Sequence, residues 1–343
     1  MQSRRIKYNL LLLAFVAIAN LFIAATPPSN PESLNSESAT SSIPNPIQFL
    51  QSNTYIPEFK IPSDSLIIPL KRAGRLFLIE AKVEGETGNL VFDTGANGLV
   101  LNSTYFRNHL KSGGATTSGI MGTLGTVEQI SVSKIEFADL TYKNLRADVT
   151  NLGHIENRRG VKILGLIGFN MIRNLEIVID AKNNELKLFR IDKTGKRANN
   201  SPQEFIADYT QKFEGSSNIL FLKGKISGKI LNFCFDTGAE TNAICSDCNR
   251  GIMNTLTITR RSGLSGAGSA GSEVLFGRMN DFAIDDKQLP NMETIITNLD
   301  ALSEAYNTKI DGMLGYSFME QGIVCINFTK KQFGIRFTKR EEK

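Results

Sequence analysis

The feature that most constrains the fold of this chain is an internal repeat centred on the tetrapeptide Asp-Thr-Gly-Ala, found at residues 93–96 and 236–239. The residues that lead into the two copies align, with FLIEAKVEGETGNLVFDTG from Phe77 over LFLKGKISGKILNFCFDTG from Leu220. Downstream, LIGFNMI at residues 166–172 matches MLGYSFM at residues 313–319. The offset rises from 143 (236 − 93) to 147 (315 − 168), so about four residues are inserted in the second copy. A repeat of this length predicts two copies of one structural unit.

Short apolar runs bounded by Gly, Asn or Asp-Lys turns predict a mostly β fold. Predicted strands lie at residues 75–80, 90–93, 175–180, 186–189, 219–222, 231–236, 323–328 and 333–337. Polar residues at 182–184 and 330–331 separate the paired C-terminal runs, as a hairpin turn requires. The best helical pattern covers residues 299–306, and shorter turns are predicted near residues 103–110 and after Gly168 and Gly315.

The chain has 343 residues, enough for two lobes that each bury a core. Its 39 basic and 34 acidic residues give a modest net charge of +5, with several cations at the termini, so nucleic-acid binding gains no support. Basic residues followed by the apolar stretch 10–25 predict a signal peptide, or an uncleaved signal anchor, and hence export to the periplasm or the medium, with a membrane tether as the alternative.

All four cysteines lie in the second copy, at Cys234, Cys245, Cys248 and Cys325. In an exported chain they can form disulfides, and the three pairings of four cysteines cannot be told apart from the sequence. The Cys245-x-x-Cys248 pattern is typical of half a metal site or a redox motif. Because no second such pair accompanies it, a local disulfide or two structural thiols is the favoured interpretation.

Each Asp-Thr-Gly follows a predicted strand, where the Gly backbone N–H can hold the carboxylate and the Thr hydroxyl can fix the loop. If the two units face each other about a pseudo-twofold axis, Asp93 and Asp236 meet. Two adjacent carboxylates cannot both ionise near neutrality, so they share a proton. The ionised group can then activate a water while the protonated group polarises a carbonyl, which is the chemistry of peptide hydrolysis.

The two motifs, each with its hydrophobic-hydrophobic-Gly partner, resemble those of the aspartic proteases of the retropepsin and pepsin clan. The resemblance covers about residues 60–338 and implies two homologous lobes, each like a closed β-barrel, with the active site in the cleft between them. It implies that Asp93 and Asp236 are catalytic and that an endopeptidase acts on a peptide or protein substrate. It also assigns supporting roles to Thr94, Gly95, Thr237, Gly238, Gly168 and Gly315.

Clan members close hairpin flaps over the substrate, and this chain has a Gly-rich stretch in each copy. The flap residues that this implies are Gly119, Gly122, Gly125, Gly266 and Gly268. The alternative is a pair of loose surface loops. Two rival functions stay open for the whole chain. One is a protein that binds peptides in the cleft without cleaving them, and the second is a structural scaffold in which the repeated motif only shapes a turn.

The expected organisation is a signal at residues 1–25, a tether or removable pro-segment at 26–57, a first lobe at 58–192, a linker at 193–210 and a second lobe at 211–343. Because the chain supplies both Asp residues, a monomer is expected to suffice for activity. A carboxyl pair of this kind requires no metal and no organic cofactor, so none is expected.

Overall fold

The computed structural model of the protein describes residues 55–60, 63–107, 119–120, 126–198, 204–213, 219–264 and 272–338. Among these residues strands predominate, as predicted, and no helix is long and apolar enough to cross a membrane. The apolar stretch 10–25 and most of the expected tether lie outside the described residues.

In the first half of the chain, the described elements alternate long strands with one-turn or two-turn helices. They are β1 (Glu58–Phe59), β2 (Ser65–Pro69), β3 (Lys71–Ala73), β4 (Leu76–Val83), β5 (Glu86–Phe92), β6 (Leu99–Asn102), α1 (Ser103–Phe106), β7 (Gly119–Ile120), β8 (Thr126–Phe137), β9 (Leu140–Thr150), α2 (Gly153–Arg159), β10 (Ile163–Ile167), α3 (Phe169–Ile172), β11 (Leu175–Asp180) and β12 (Glu185–Arg190).

The second half repeats this order with interrupted strands. Its elements are β13 (Tyr209–Lys212), β14 (Leu220–Ile226), β15 (Lys229–Phe235), β16 (Asn242–Cys245), α4 (Arg250–Met253), β17 (Leu256–Leu264), β18 (Ser272–Met279), β19 (Phe282–Ile284), β20 (Lys287–Gln288), β21 (Met292–Thr297), α5 (Asp300–Tyr306), β22 (Gly312–Leu314), α6 (Tyr316–Met319), β23 (Gly322–Asn327) and β24 (Gln332–Phe337).

Six strands of the first lobe close into a barrel in the order β9-β6-β10-β5-β4-β8, with the β8–β9 hairpin completing the ring. Strand β4 shows why both faces of the barrel sheet are apolar. Because successive side chains of a strand point to opposite faces, Phe77 and Ile79 join the main core, whereas Leu76 and Leu78 join a second cluster with Ile155 of α2. The barrel wall is therefore buried on both sides near the end that carries the first Asp-Thr-Gly-Ala loop.

The second lobe has the equivalent strand order, β18-β21-β16-β22-β15-β14-β19. With the offset of 147, β18 and β19 correspond to the two ends of β8, and β20 and β21 correspond to the two ends of β9. The ladder is interrupted between these pieces, so the second sheet is curled rather than continuously closed.

The repeat extends to the backbone conformation of individual turn residues. Left-handed φ angles recur at positions related by the repeat, including the residues that end α2 and α5, Gly160 (φ 62°) and Asn307 (φ 49°). Gly85 and Gly228 form another such pair, and the pairs made only of non-glycine residues are Glu84 and Ser227, Ala138 and Asp285, Asn144 and Asn291, and Asn184 and Lys331. Since non-glycine residues seldom adopt this conformation, the two halves share one backbone path.

A six-stranded sheet, ordered β13-β24-β23-β11-β12-β2, joins the two halves. At its centre β11 pairs with β23, its own counterpart, and Val178 lies opposite Cys325, 147 positions later. A residue can pair with its own equivalent only at a twofold axis, so the pseudo-twofold axis of the molecule passes between Val178 and Cys325.

The predicted strands at 175–180, 186–189, 323–328 and 333–337 are all found in this sheet, and the hairpin turns between them are confirmed. The predicted helix at 299–306 is found as α5.

Candidate active site

The two repeated Asp residues lie at the ends of equivalent strands. Strands β5 and β15 each end in a fully buried Phe, and the next residue is Asp93 or Asp236. A parallel neighbour supports each one, because the N–H of Asp93 donates to Ile167 O (3.0 Å) and that of Asp236 to Leu314 O (3.0 Å). The sheets therefore hold both residues at the same level, beside the pseudo-twofold axis.

Each carboxyl group is buried and is oriented by its own loop. Asp93 is 1% exposed, and its Oδ1 accepts hydrogen bonds from the N–H of Gly95 (2.9 Å) and Ala96 (3.1 Å). Asp236 is 0% exposed, and its Oδ1 accepts from the N–H of Gly238 (2.8 Å). Among the described residues, neither Oδ2 atom has a hydrogen-bond donor from the surrounding protein. One oxygen of each carboxyl group is thus left for the other carboxyl group, a solvent molecule or a substrate.

The two loops also contact each other closely. A Cβ atom on Gly238 would lie 2.5 Å from Asp93 Cγ, so only glycine allows the Asp93 carboxyl group this approach. The neighbouring threonines interlock, with Thr94 N–H donating to Thr237 Oγ1 (2.9 Å) and Thr237 N–H donating to Thr94 Oγ1 (3.1 Å). Thr237 Oγ1 in turn donates to Phe92 O (2.9 Å). This reciprocal pair spans the lobe interface directly beneath the carboxyl groups.

The hydrophobic-hydrophobic-Gly segments form a platform under the loops. The N–H of Phe169 donates to Ala96 O (2.8 Å), and that of Tyr316 donates to Ala239 O (2.9 Å). A Cβ atom on Gly168 would lie 2.5 Å from Ala96 O, and one on Gly315 would lie 2.5 Å from Ala239 O. Gly is therefore needed at both positions for the platform to reach the loop backbone.

Burial and mutual repulsion change the acidity of the pair. Removal from water raises the pKa of Asp93 well above its usual range, and the neighbouring charge of Asp236 raises it further, despite the opposing hydrogen bonds from Gly95 and Ala96. Burial also raises the pKa of Asp236. The first proton taken up by the pair therefore binds at a higher pH than it would on an exposed aspartate.

Each lobe has a β-hairpin at its glycine-rich segment. In the first lobe β7, which begins at Gly119, pairs with the start of β8, and in the second lobe β17 pairs with β18 over its whole length. The remaining glycines assigned to the flaps, at 122, 125, 266 and 268, lie outside the described residues.

The sequence did not reveal an ion pair next to one of the loops. Glu240, the residue after the second Asp-Thr-Gly-Ala, pairs with Arg159 at the end of α2 in the other lobe, and both side chains are mostly buried (12% and 15% exposed). The equivalent positions on the other side of the axis hold Asn97 and Tyr306. The surroundings of the two carboxyl groups thus differ, and the only sequence signal was the mismatch of these aligned positions.

Tyr306 lies close to the pair from the second lobe. Burial raises the pKa of its hydroxyl, with smaller contributions from Cys234, Asp236 and Asp93. Its ring packs edge-on against Phe221, with 6.2 Å between the centroids. The repeat thus has a buried tyrosine at Tyr306 where the first lobe has the charged Arg159.

Comparison with known proteins finds one family model that matches both halves of the chain. The sequence model of the aspartyl protease family matches the chain twice, at residues 79–171 and 222–318, which together are more than half of its length. Each match includes one Asp-Thr-Gly-Ala loop and its hydrophobic-hydrophobic-Gly platform. A comparison with curated proteins found no match.

Proposed function

Because this chain belongs to the aspartyl protease family, we propose that it is an aspartic endopeptidase that hydrolyses peptide bonds through a water molecule activated by Asp93 and Asp236. The observation that carries the proposal is the arrangement of these two side chains. They are buried, they occupy equivalent positions about the axis, and each has an Oδ2 atom without a protein donor among the described residues.

The chemistry follows from the shared proton. The ionised carboxylate accepts a proton from a water molecule held between the two groups while the oxygen of that water bonds to the carbonyl carbon. The protonated carboxyl group donates to the carbonyl oxygen, which gives a neutral tetrahedral diol. The proton taken from water then passes to the amide nitrogen as the C–N bond breaks, and the diol oxygen returns its proton to the pair. The products are a carboxylic acid and an amine, and the pair regains its single shared proton.

The supporting residues make these proton transfers efficient because they keep the two Asp loops from moving. The reciprocal Thr94–Thr237 hydrogen bonds fix the separation of the two loops, and the Gly95 and Gly238 N–H groups hold the inner carboxyl oxygens. Preorganised dipoles of this kind need little rearrangement during the reaction. An extended peptide would lie across the pair, covered by the β7–β8 and β17–β18 hairpins.

The test is cleavage of a diverse peptide library by the native chain, Asp93→Asn and Asp236→Asn between about pH 3 and 8, the range in which a coupled carboxyl pair titrates. We expect either substitution to lower kcat by at least about a thousandfold, because neither carboxyl group can act alone. Asp286→Asn, which changes an exposed turn residue, serves as the matched control and should cleave normally.

The same peptide library distinguishes an endopeptidase from a protein that only binds peptides. If the native chain folds and binds peptides but cleaves none of them at any pH, it is a peptide-binding protein that retains the cleft. If one of the Asn variants remains active, the shared carboxyl pair is not the catalytic group.

We also propose that residues 10–25 direct export of the chain. The support is their apolar character behind Arg4, Arg5 and Lys7 and ahead of a polar segment. Cell fractionation with N-terminal sequencing tests this: a start at Asn20 or Thr26 indicates a cleaved signal peptide, and a start at residue 1 in the membrane fraction indicates an uncleaved anchor. Recovery of the chain from the cytoplasm with residue 1 intact would contradict export.

A further inference from the structure

The second lobe contains a short insertion that the first lobe lacks. Strands β6 and β16 are related by an offset of 143, whereas the helices that follow them, α1 and α4, are related by 147. The four additional residues are therefore 246–249, directly after Cys245, and they include Asp247 and Cys248. All four cysteines of the chain are free thiols, so Cys245 and Cys248 do not form the local disulfide considered from the sequence.

At the insertion, three side chains that can bind a metal lie close together. The Cys245 Sγ atom and carboxylate oxygens of Asp247 and Asp300 all lie within 4.8 Å of one another. Cys245 is only 8% exposed, and in the described part of the chain no hydrogen bond satisfies its thiol. The two carboxylates are exposed, so a cation has access from solvent.

The polar contacts of the carboxylates leave room for a cation. Asp247 Oδ1 accepts a hydrogen bond from Ser246 Oγ at 3.4 Å, and Asp300 Oδ2 accepts one from Asn298 Nδ2 at 2.8 Å. Each bond occupies one oxygen of its carboxylate, and the Asn298 bond orients Asp300 as an outer partner of a metal ligand would. Lys309 is nearby, but its side chain is 85% exposed and pairs with Asp311.

The first lobe provides an internal comparison. At the positions equivalent to Cys245 and Asp300 it has Asn102 and Gly153, and Asn102 is fully committed to hydrogen bonds with Leu152, Ile163 and the start of α1. The two lobes thus share this backbone framework, but only the second lobe has the candidate ligands on it.

We propose that Cys245, Asp247 and Asp300 form a binding site for a divalent cation of the zinc class. Zinc accepts Cys sulfur at about 2.3 Å and Asp oxygen at about 2.0–2.2 Å in a tetrahedral arrangement, so ligand atoms at this mutual distance need only a small closure. A thiolate ligand disfavours calcium and magnesium, which prefer all-oxygen sites. On binding, the Cys245 thiol releases its proton to solvent, and a water molecule takes the fourth position.

The experiment is titration of the full chain, reduced and stripped of metal with a chelator, with Co²⁺ and then Zn²⁺. We expect one equivalent of Co²⁺ to give the near-ultraviolet band of a thiolate–cobalt bond, and Zn²⁺ to abolish the band by displacement. Cys245→Ser should remove the band, and both Cys245→Ser and Asp300→Asn should weaken Zn²⁺ binding by at least about tenfold. Asp300 is exposed, so its variant keeps the test valid if Cys245→Ser does not fold.

Two matched variants separate this site from unspecific binding. Cys325→Ser removes a thiol from the sheet between the lobes, and Asp286→Asn removes an exposed carboxylate elsewhere in the second lobe, so both should bind like the native chain. The proposal is overturned if the band persists in Cys245→Ser, if no stoichiometric binding occurs, or if mass analysis finds Cys245 and Cys248 joined as a disulfide in protein prepared with Zn²⁺ and without reductant.

Discussion

At the scale of single residues, the chain concentrates its unusual chemistry in Asp93 and Asp236. Both carboxyl groups are removed from water, and the pKa of each is raised by that burial. A raised pKa means that the folded protein favours the protonated acid more than the unfolded chain does. The resulting stabilisation is complete below the unfolded pKa of about 3.9 and is lost as the pH rises through the folded pKa.

Replacing Asp93 with Asn should therefore have opposite consequences for stability and activity. Asn keeps the Oδ1 acceptor for Gly95 and Ala96 but cannot ionise, so we expect Asp93→Asn to melt at a higher temperature than the native chain at pH 7.5. Near pH 4 the two melting temperatures should converge. Thermal unfolding at both pH values measures this, and Asp286→Asn should show no such pH-dependent gain. A variant that is less stable by the same amount at both pH values would contradict the argument.

At the scale of elements, the platform segments determine how accurately the loops are placed. Strands β10 and β22 each run into a Gly and then into the one-turn helices α3 and α6, so the chain passes under the loop with no side chain between the two backbones. The Gly168 and Gly315 positions admit no Cβ atom without displacing loop carbonyl groups.

Gly168→Ala should lower the free energy of unfolding by about 1–3 kcal/mol, the usual cost of forcing an extra carbon into a packed site. Because the displaced loop carries Asp93, activity should fall as well. Gly98→Ala is the control, since a Cβ atom there meets nothing within 4 Å, and its stability should be unchanged or higher by up to about 1 kcal/mol. Urea unfolding of the two variants gives the comparison, and equal effects would mean that the close contact at Gly168 is not important.

Individual strands also differ in how well the sequence predicts them. Strands such as β11 and β23 are short, mostly apolar runs and were predicted, and the repeat drew attention to Asp93 and Asp236. Strand β9 mixes exposed and buried residues, so its pattern was missed. The pairing of β11 with β23 joins residues about 150 positions apart, and the Arg159–Glu240 pair lies between lobes. Contacts of this range leave no local pattern in a sequence.

At the scale of the whole molecule, the two halves are held together by more than the central sheet. The rings of Phe77 and Tyr316 pack across the boundary with 5.8 Å between centroids, and Arg72 lies over the Tyr316 ring at 4.2 Å. Arg75 pairs with Glu293 at 2.6 Å, and Arg159 pairs with Glu240. The Arg159–Glu240 pair is more buried than the Arg75–Glu293 pair, so its substitution should lower the free energy of unfolding more.

A double-mutant cycle on Arg159 and Glu240 measures this contact. Glu240→Gln alone should lower the free energy of unfolding by about 3 kcal/mol, because it leaves a mostly buried guanidinium group without its counter-ion. Adding Arg159→Met should recover part of that loss, since no charge then remains unpaired. The exposed pair Lys71–Glu80, with side chains 59% and 61% exposed, is the control and should contribute less than about 1 kcal/mol. Simple additivity of the Arg159 and Glu240 effects would show that the two charges do not stabilise each other.

The unequal neighbours of the two carboxyl loops also bear on how a substrate is oriented. A peptide has a direction, from its amino end to its carboxyl end, whereas a cleft with true twofold symmetry accepts it equally well either way round. Here a buried ion pair, Glu240 with Arg159, flanks one loop, and the neutral residues Asn97 and Tyr306 occupy the equivalent positions at the other. A gene that encodes both halves in one chain can change each half separately, and under the proposed function these four residues would give the cleft a chemical basis for binding a peptide in one direction.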